Sequence, residues 1–181
     1  EVVVDRIENV EDWGRRPVWL SASFERSAGR TDETWLLFMD EAGVGRRLRD
    51  RLVQRGDKVV SVFEGDAFHK RAADPTRAGD EYTLAPELGR AGYDALIKDL
   101  VAHGQTPTQI VHLWLTTDAE RFRPGSSFLH QNIQDGFYSL YFLAQALGEE
   151  SLPRPLQITV VSNGMQTTGP GDPVLHPEKA T

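Results

Sequence analysis

Short, unbroken apolar runs alternate along this chain with longer segments in which apolar residues recur every three or four positions. Unbroken runs of four to eight residues are typical of strands that are covered on both faces, as in a parallel sheet. Polar segments rich in glycine and proline separate the runs and predict turns and loops. The strands predicted in this way are 17–25, 35–39, 58–63, a short edge strand at 81–84, 110–115 and 156–161.

Three segments show the helical repeat instead, because their apolar residues fall on one face at 3.6 residues per turn. The first helix ends at Gly56, the second at Gly104 and the third at Gly148, since glycine commonly terminates helices. The predicted helices cover 44–55, 88–103 and 128–147. The third helix is predicted to bury one apolar face, formed by Ile133, Phe137, Leu140, Tyr141, Ala144 and Leu147.

Strands and helices therefore alternate, and this order predicts an α/β fold. We expect a mostly parallel sheet with flanking helices, in a truncated Rossmann-like arrangement. Residues 1–14 are polar and are interpreted as an interdomain linker, and residues 15–181 as one domain. Segments 65–79 and 163–181 are predicted to be loops, because charges, glycines and prolines interrupt any repeat there.

Composition narrows the classes of function. The chain of 181 residues has 20 basic and 27 acidic side chains, a net charge of −7, which argues against binding to nucleic acid or an anionic membrane. It has no cysteine, so disulfides, thiolate metal sites and cysteine nucleophiles are excluded, as suits a reducing cytosol. Its charged opening is unlike a signal peptide, and no run approaches about 20 apolar residues. These features predict a cytoplasmic protein that contacts neither nucleic acid nor membrane.

The turn before the first helix comes nearest to a nucleotide-binding motif. Gly43 and Gly45 follow a strand and precede a helix, as the first two glycines of a dinucleotide fingerprint do. Leu48 replaces the third glycine, and Glu64 follows the next strand near the usual distance of a ribose-binding acid. Gly43, Gly45 and Glu64 are therefore the candidate cofactor-binding residues, for a nicotinamide or another nucleotide.

The same turn has a second interpretation, as a tight connection between strand and helix that binds nothing. Asp40 and Glu41 stand at the mouth of the supposed phosphate site. Like charge at that position repels a pyrophosphate unless Arg46 and Arg47 compensate. This repulsion favours the interpretation without a ligand.

Catalytic groups are missing at the expected spacings. A short-chain reductase needs a Tyr-x-x-x-Lys pair for proton donation, and none of the four tyrosines has a lysine four residues later. The five histidines show no helical metal-ligand spacing. Ser127 and Ser162 are weighed as nucleophiles of a hydrolase or transferase, but neither shows a Gly-x-Ser-x-Gly elbow or a triad order. No catalytic or metal-binding residue is therefore predicted.

Several stretches, taken in their order and spacing, resemble the first half of the ketoreductase region of modular type I polyketide synthases. The resemblance runs from about residue 17 to residue 181 and so covers most of the chain. The stretches are WLLFMDEAGVG (35–45) with Leu48, KVVSVFEG (58–65), EYTLAP (81–86), IVHLWL (110–115), QITVVSNGMQ (157–166) and HPEKAT (176–181).

In that family the first half is a truncated structural subdomain without an active site, and the second half binds NADPH and carries the catalytic serine, tyrosine and lysine. The resemblance implies that this chain is a structural or pseudo-ketoreductase subdomain with no cofactor of its own. The catalytic residues of a parent β-ketoacyl reductase are then expected beyond Thr181. The implied partners are the catalytic subdomain and neighbouring synthase domains.

Two further expectations accompany this resemblance. An apolar face that its partner does not cover would favour self-association of the chain. The alternative function is an independent NAD(P)- or nucleotide-binding module that uses the loop at 43–48.

Overall fold

The computed structural model describes most of the predicted domain. The structure describes residues 33–71, 79–117, 126–150 and 155–169. It also describes eleven separate positions, which are 9, 14, 19, 20, 22, 23, 152, 171, 172, 176 and 179. The strands are β1 (Thr34–Phe38), β2 (Lys58–Glu64), β3 (His69–Lys70), β4 (Glu81–Leu84), β5 (Gln109–His112) and β6 (Gln157–Val160). The helices are α1 (Val44–Arg55), a 3₁₀ turn (Pro86–Leu88), α2 (Ala91–Ala102), α3 (Ser126–Ile133), a π-helical turn (Gln134–Tyr138) and α4 (Ser139–Glu149).

The six described strands form one sheet in the order β3-β4-β2-β1-β5-β6. Every neighbouring pair is parallel except β3 with β4. The five parallel strands follow the order 3-2-1-4-5 of a doubly wound sheet, which is the order that βαβ units with right-handed crossovers produce. The predicted α/β, truncated Rossmann-like fold is therefore confirmed.

Helices cover the sheet on both faces and enclose two apolar clusters. Successive strand residues point to opposite faces, so Leu36 and Phe38 belong to one cluster and Leu37 belongs to the other. Helices α2 and α4 pack on the first face, and α1 packs on the second. This burial on both faces explains why the strands read as unbroken apolar runs.

Several predicted elements differ from the structure. The strand predicted at 110–115 ends at His112, because the chain turns where the Thr116 N–H donates to the Leu113 carbonyl at 2.7 Å. Trp114 is buried as expected, but it lies in this turn and not in a strand. The predicted loop at 65–79 contains β3, which pairs with β4, so β4 is not the edge strand. The second helix begins at Ala91 after a 3₁₀ turn.

The third helix buries a different face from the predicted one. Phe137, Tyr141 and Ala144 were expected in the core, but they are exposed. A Cβ on Gly136 would lie 2.8 Å from Leu115 Cδ1, so the helix approaches the turn after β5 closely at this glycine, and its large aromatic side chains point outward. The buried positions are Asn132, Asp135, Gly136, Ser139, Leu143, Ala146 and Leu147.

Parts of the predicted organisation lie outside the described residues. Of the predicted strand at 17–25, only Trp19, Leu20, Ala22 and Ser23 are described, and these four are not in a strand. Most of the predicted linker at 1–14 is not described either, so the division into linker and domain stays a prediction.

Candidate functional site

The turn between β1 and α1 is the first candidate site. A carboxylate of the same chain already binds the N-terminus of α1. Gly43 adopts the left-handed conformation, with φ of +82°, and α1 begins at the next residue. The Asp40 carboxylate accepts the N–H groups of Val44 at 2.9 Å and Gly45 at 2.6 Å. A helix N-terminus attracts anions through these groups. Asp40 therefore occupies the position that a bound phosphate would take.

Gly45 lets the loop close on that carboxylate. A Cβ at this position would lie 2.9 Å from Asp40 Oδ1 and 3.2 Å from Met39 Sδ. In a dinucleotide site, the glycine makes room for the pyrophosphate. Here the same space is taken by Asp40.

The cavity beside this turn has a volume of about 560 Å³ and a mixed charge. Arg49 lies 3.7 Å from Glu81, and Arg71 donates to the same carboxylate at 3.0 Å. Two of the three arginines that line the cavity are thus already paired with an acid. Its lining consists of Met39, Asp40, Glu41, Gly43, Arg46, Arg49, Phe63, Arg71 and Glu81.

Glu64, the third predicted cofactor residue, does not join the two glycines. Its Oε1 accepts a hydrogen bond from Gln131 Nε2 at 3.0 Å, so its side chain faces α3 and not the cavity at Gly43. The structure therefore brings Gly43 and Gly45 into one turn and leaves Glu64 apart. The expected absence of a cofactor in this chain stays a prediction.

Replacing Asp40 by alanine is expected to lower the free energy of unfolding by about 1 kcal/mol, the usual effect of losing a side-chain acceptor at a helix N-terminus. The reason is that the N–H groups of Val44 and Gly45 lose their acceptor. Urea unfolding measures the change, and Glu41→Ala, at an exposed neighbour, is the control. Equal stability of the two variants would contradict the capping role.

A second group of polar side chains connects the carboxyl end of β2 with the third helix. Glu64 and Gln131 are exposed, whereas Asp135 is buried. Gln131 Nε2 donates to Glu64 at 3.0 Å and to both carboxylate oxygens of Asp135 at 3.1 Å. Burial, together with the charge of Glu64, raises the pKa of Asp135 to about 7. Burial and then the charges of Glu87 and Glu41 raise the pKa of Glu64. The two carboxyl groups repel each other, and the amide of Gln131 bridges them.

His112 and Tyr93 extend this group into the core. His112 Nε2 lies 2.8 Å from Ser139 Oγ, and burial lowers the pKa of His112 to about 3, which keeps the ring neutral. Among the described residues, neither the second ring nitrogen of His112 nor the Tyr93 hydroxyl has a hydrogen-bond partner. Burial raises the pKa of Tyr93. Because His112, Ser139 and Tyr93 are fully buried, they cannot meet a substrate in this form of the protein.

The remaining sequence candidates form no catalytic set in the described part of the chain. Ser162 Oγ donates to Met165 Sδ at 2.9 Å. The side chain of Ser127 is not among those that the structure describes. Within the described ranges, no three histidine or acidic side chains are arranged to hold a metal ion. In the same ranges, no helix combines the length and apolar character needed to cross a membrane.

The aromatic face of the third helix is an exposed apolar feature that the sequence pattern did not predict. We define it as Leu129, Phe137, Tyr138 and Tyr141. Phe137 is 51% exposed and Tyr141 is 49% exposed, and their rings stack with centroids 6.1 Å apart. The Tyr138 ring meets the Phe137 ring edge-on at 5.4 Å. Exposed aromatic groups are enriched in the cores of protein interfaces.

Comparisons with known proteins agree with this architecture. Residues 33–172 match the family described as "Beta-ketoacyl synthase-like, N-terminal". No curated protein matches the chain in sequence. Among solved structures, a multidomain adenylation, ketoreductase and pseudo-Asub structure from a keto acid-selecting NRPS module has a TM-score of 0.71 and 24% identity. The match covers 90% of this chain and 12% of that chain.

Two other solved structures extend the likeness. An N-terminal ketoreductase from the macrolactin assembly line has a TM-score of 0.57 and 21% identity, over 74% of this chain and 26% of that chain. Aldohexose dehydrogenase from Thermoplasma acidophilum has a TM-score of 0.50 and 14% identity, and the match covers 82% of this chain and 57% of that chain. The chain thus spans about an eighth and about a quarter of the first two structures. These findings confirm the predicted fold and the predicted resemblance to a ketoreductase subdomain.

Proposed function

Because the chain belongs to the beta-ketoacyl synthase-like, N-terminal family, we propose that it is a scaffold without catalytic residues of its own. It docks on the NADPH-dependent catalytic half of an assembly-line ketoreductase and holds that half in its active geometry. NADPH then belongs to the catalytic half, and neighbouring synthase domains are further partners. The solved structures most relevant to this proposal are described as ketoreductases or multidomain modules, of which the chain spans a minor part.

The aromatic face is the observation that carries this proposal. A helix usually buries one apolar stripe, so a second, exposed apolar stripe on the same helix suits a further packing partner. The third helix packs Leu143, Ala146 and Leu147 against its own sheet and still presents Phe137, Tyr138 and Tyr141 outward. Aromatic groups are enriched in the cores of protein interfaces. A partner that covers this face would complete the burial of the helix.

The β1–α1 turn supports the same proposal, because its geometry disfavours the alternative of a nucleotide-binding module. The helix end that would receive a pyrophosphate is occupied by the Asp40 carboxylate. A scaffold has no need of that position, whereas an independent nucleotide-binding module would have to displace Asp40. This contact therefore favours the scaffold over the nucleotide-binding alternative.

We expect Phe137→Ser and Tyr138→Ser each to weaken binding of this chain to the remainder of the ketoreductase region, produced as a separate chain. Interface aromatics often contribute 2 kcal/mol or more, so the dissociation constant should rise by about 30-fold or more. Calorimetric titration of one chain into the other measures the change. Val53→Ser, at a partly exposed position on α1 and on the opposite face of the sheet, should leave the affinity unchanged.

NADPH titration completes this test. The chain alone should give no heat with NADPH, and the complex of the two chains should bind it. Tight binding of NADPH by the isolated chain, or failure of the two chains to associate, would overturn the scaffold function.

A further inference from the structure

Strand β6 forms one edge of the sheet, and its outer side is unpaired within the described residues. The N–H groups of Gln157 and Val161 donate to the carbonyls of Thr108 and His112 on the β5 side. In a parallel strand, alternate residues point their N–H groups to opposite sides. The N–H groups of Ile158 and Val160 therefore point away from β5, at the free edge.

The two faces of β6 differ in polarity. Ile158 and Val160 pair with Ile110 and His112, so their side chains lie on the face that α2 and α4 cover elsewhere. Ile158 remains 42% exposed and Val160 48% exposed. Gln157 and Thr159 occupy the other face. An apolar surface is thus left open on one face only, the face of the third helix.

A groove of about 470 Å³ runs between β6 and the third helix on this face. Its lining is mostly apolar, and the Lys179 ammonium group at its wall already binds the Leu115 and Asn163 carbonyls. The groove therefore suits an apolar helix face better than a charged ligand. Its apolar lining consists of Leu115, Phe137, Leu140, Tyr141, Val160 and Met165.

The topology indicates which element fits both the edge and the groove. The Rossmann form of the doubly wound sheet has six parallel strands in the order 3-2-1-4-5-6, and β6 corresponds to the fifth of them. Crossovers between parallel strands are right-handed. The chain passes from β4 to β5 through α2 and from β5 to β6 through α3 and α4, each time toward the β6 edge of the sheet. A connection from β6 to a sixth strand would continue in the same direction. Its helix must therefore lie on the same face as these helices, which is where the groove is.

We propose that the polypeptide that carries the catalytic half adds a sixth parallel strand to the free edge of β6 and fills the groove with the helix that precedes this strand. The inference rests on the proposed function for the source of this helix and strand. The added strand receives the N–H groups of Ile158 and Val160, and the helix covers Val160 and Tyr141. Main-chain pairing and apolar burial thus act together, as they do when an extended segment is added to a sheet edge.

Val160→Pro tests the added strand and its helix together, because it removes an N–H that points to the free edge and also the valine side chain that lines the groove. Proline is tolerated on edge strands. The variant should keep the urea midpoint of the isolated chain. It should weaken binding to the remainder of the ketoreductase region by about 10-fold or more, the effect of about 1.4 kcal/mol. Gln157→Lys, on the opposite face of β6, is the matched control and should bind as the wild type does.

Amide hydrogen exchange in the wild type keeps the inference testable if the proline variant unfolds. The amides of Ile158 and Val160 should exchange rapidly in the isolated chain and become protected in the complex, whereas the Thr159 amide should be protected in both. Unprotected Ile158 and Val160 amides in a complex that still depends on Phe137 would overturn the added strand and leave the scaffold function intact. Protection that instead rises with the concentration of the isolated chain would identify a second copy as the occupant and overturn the inference.

Discussion

Asp135→Asn is expected to make the protein more stable than the wild type at about pH 8, by about 2–4 kcal/mol. At about pH 4, the two proteins should be nearly equal. Asp135 is only 7% exposed, and burial together with the charge of Glu64 raises its pKa from an ordinary 3.8 to about 7. The asparagine side chain cannot ionise, so it escapes the cost of a buried charge.

The direction of this effect follows from where the proton is bound. Below about pH 4, the Asp135 carboxyl is protonated in both the folded and the unfolded chain and contributes no difference. Between about pH 4 and pH 7, the unfolded chain loses the proton while the folded chain retains it, so the free energy of unfolding falls as the pH rises. Above about pH 7, both states are ionised and the loss is complete.

Urea unfolding of both proteins across this pH range measures the effect. Glu64→Gln is the informative comparison, because it removes one source of the raised pKa and leaves the burial of Asp135 unchanged. Its pH dependence should be smaller than that of the wild type without vanishing. If Asp135→Asn lost stability with pH as steeply as the wild type, the buried carboxyl group would not be the cause.

Phe38→Ala is expected to lower the free energy of unfolding by about 3–5 kcal/mol, the usual cost of removing a buried phenylalanine side chain. Phe38 is fully buried at the end of β1. Its ring lies 5.0 Å from the ring of His112 and meets Trp114 edge-on at 5.1 Å. The cavity would therefore open beside an imidazole that is held neutral by burial.

Phe137→Ala is the matched control, since it removes the same side chain from the aromatic face. Its effect on the isolated chain should stay within about 0.5 kcal/mol, as for most surface substitutions. Chemical denaturation of both variants gives the comparison. Similar losses at the two positions would mean that the aromatic face already contributes to the stability of the isolated chain.

The order of strands and helices could be predicted from the sequence because burial on both faces produces continuous apolar runs. The strand at 110–115 was predicted too long for the same reason: Leu113, Trp114 and Leu115 are buried in a turn and look like strand residues. Strand β3 could not be predicted, since a two-residue strand of His69 and Lys70 has no periodicity.

The buried face of the third helix could not be predicted from apolar spacing. Both sides of the helix carry apolar residues, and the side that packs is chosen by the size of Gly136, Ser139 and Ala146. The π-helical turn at Gln134–Tyr138 changes the helical phase at this point, which a 3.6-residue repeat does not represent. The large aromatic groups consequently point outward.

The candidate site was only partly visible in the sequence. The acidic character of Asp40 indicated repulsion of a phosphate, but its hydrogen bonds to the start of α1 required coordinates. The contact of Gln131 with Glu64 was missed, because Glu64 lies in β2 and Gln131 in the third helix, 67 residues apart. The polar residues Asp135 and Ser139, one turn apart in an apolar helix, were the signal that could have led to it.

The short strand β3 has a consequence for a chain that is produced without its partner. Lying antiparallel on β4, and anchored where Lys70 binds Asp99 at 2.8 Å, it caps the edge of the sheet opposite β6. A very short, charged edge strand resists pairing with another sheet. Among the described strands, only one edge is thus open to growth. Chains without the partner that pair through their β6 edges should therefore form closed dimers, which cannot extend into fibres.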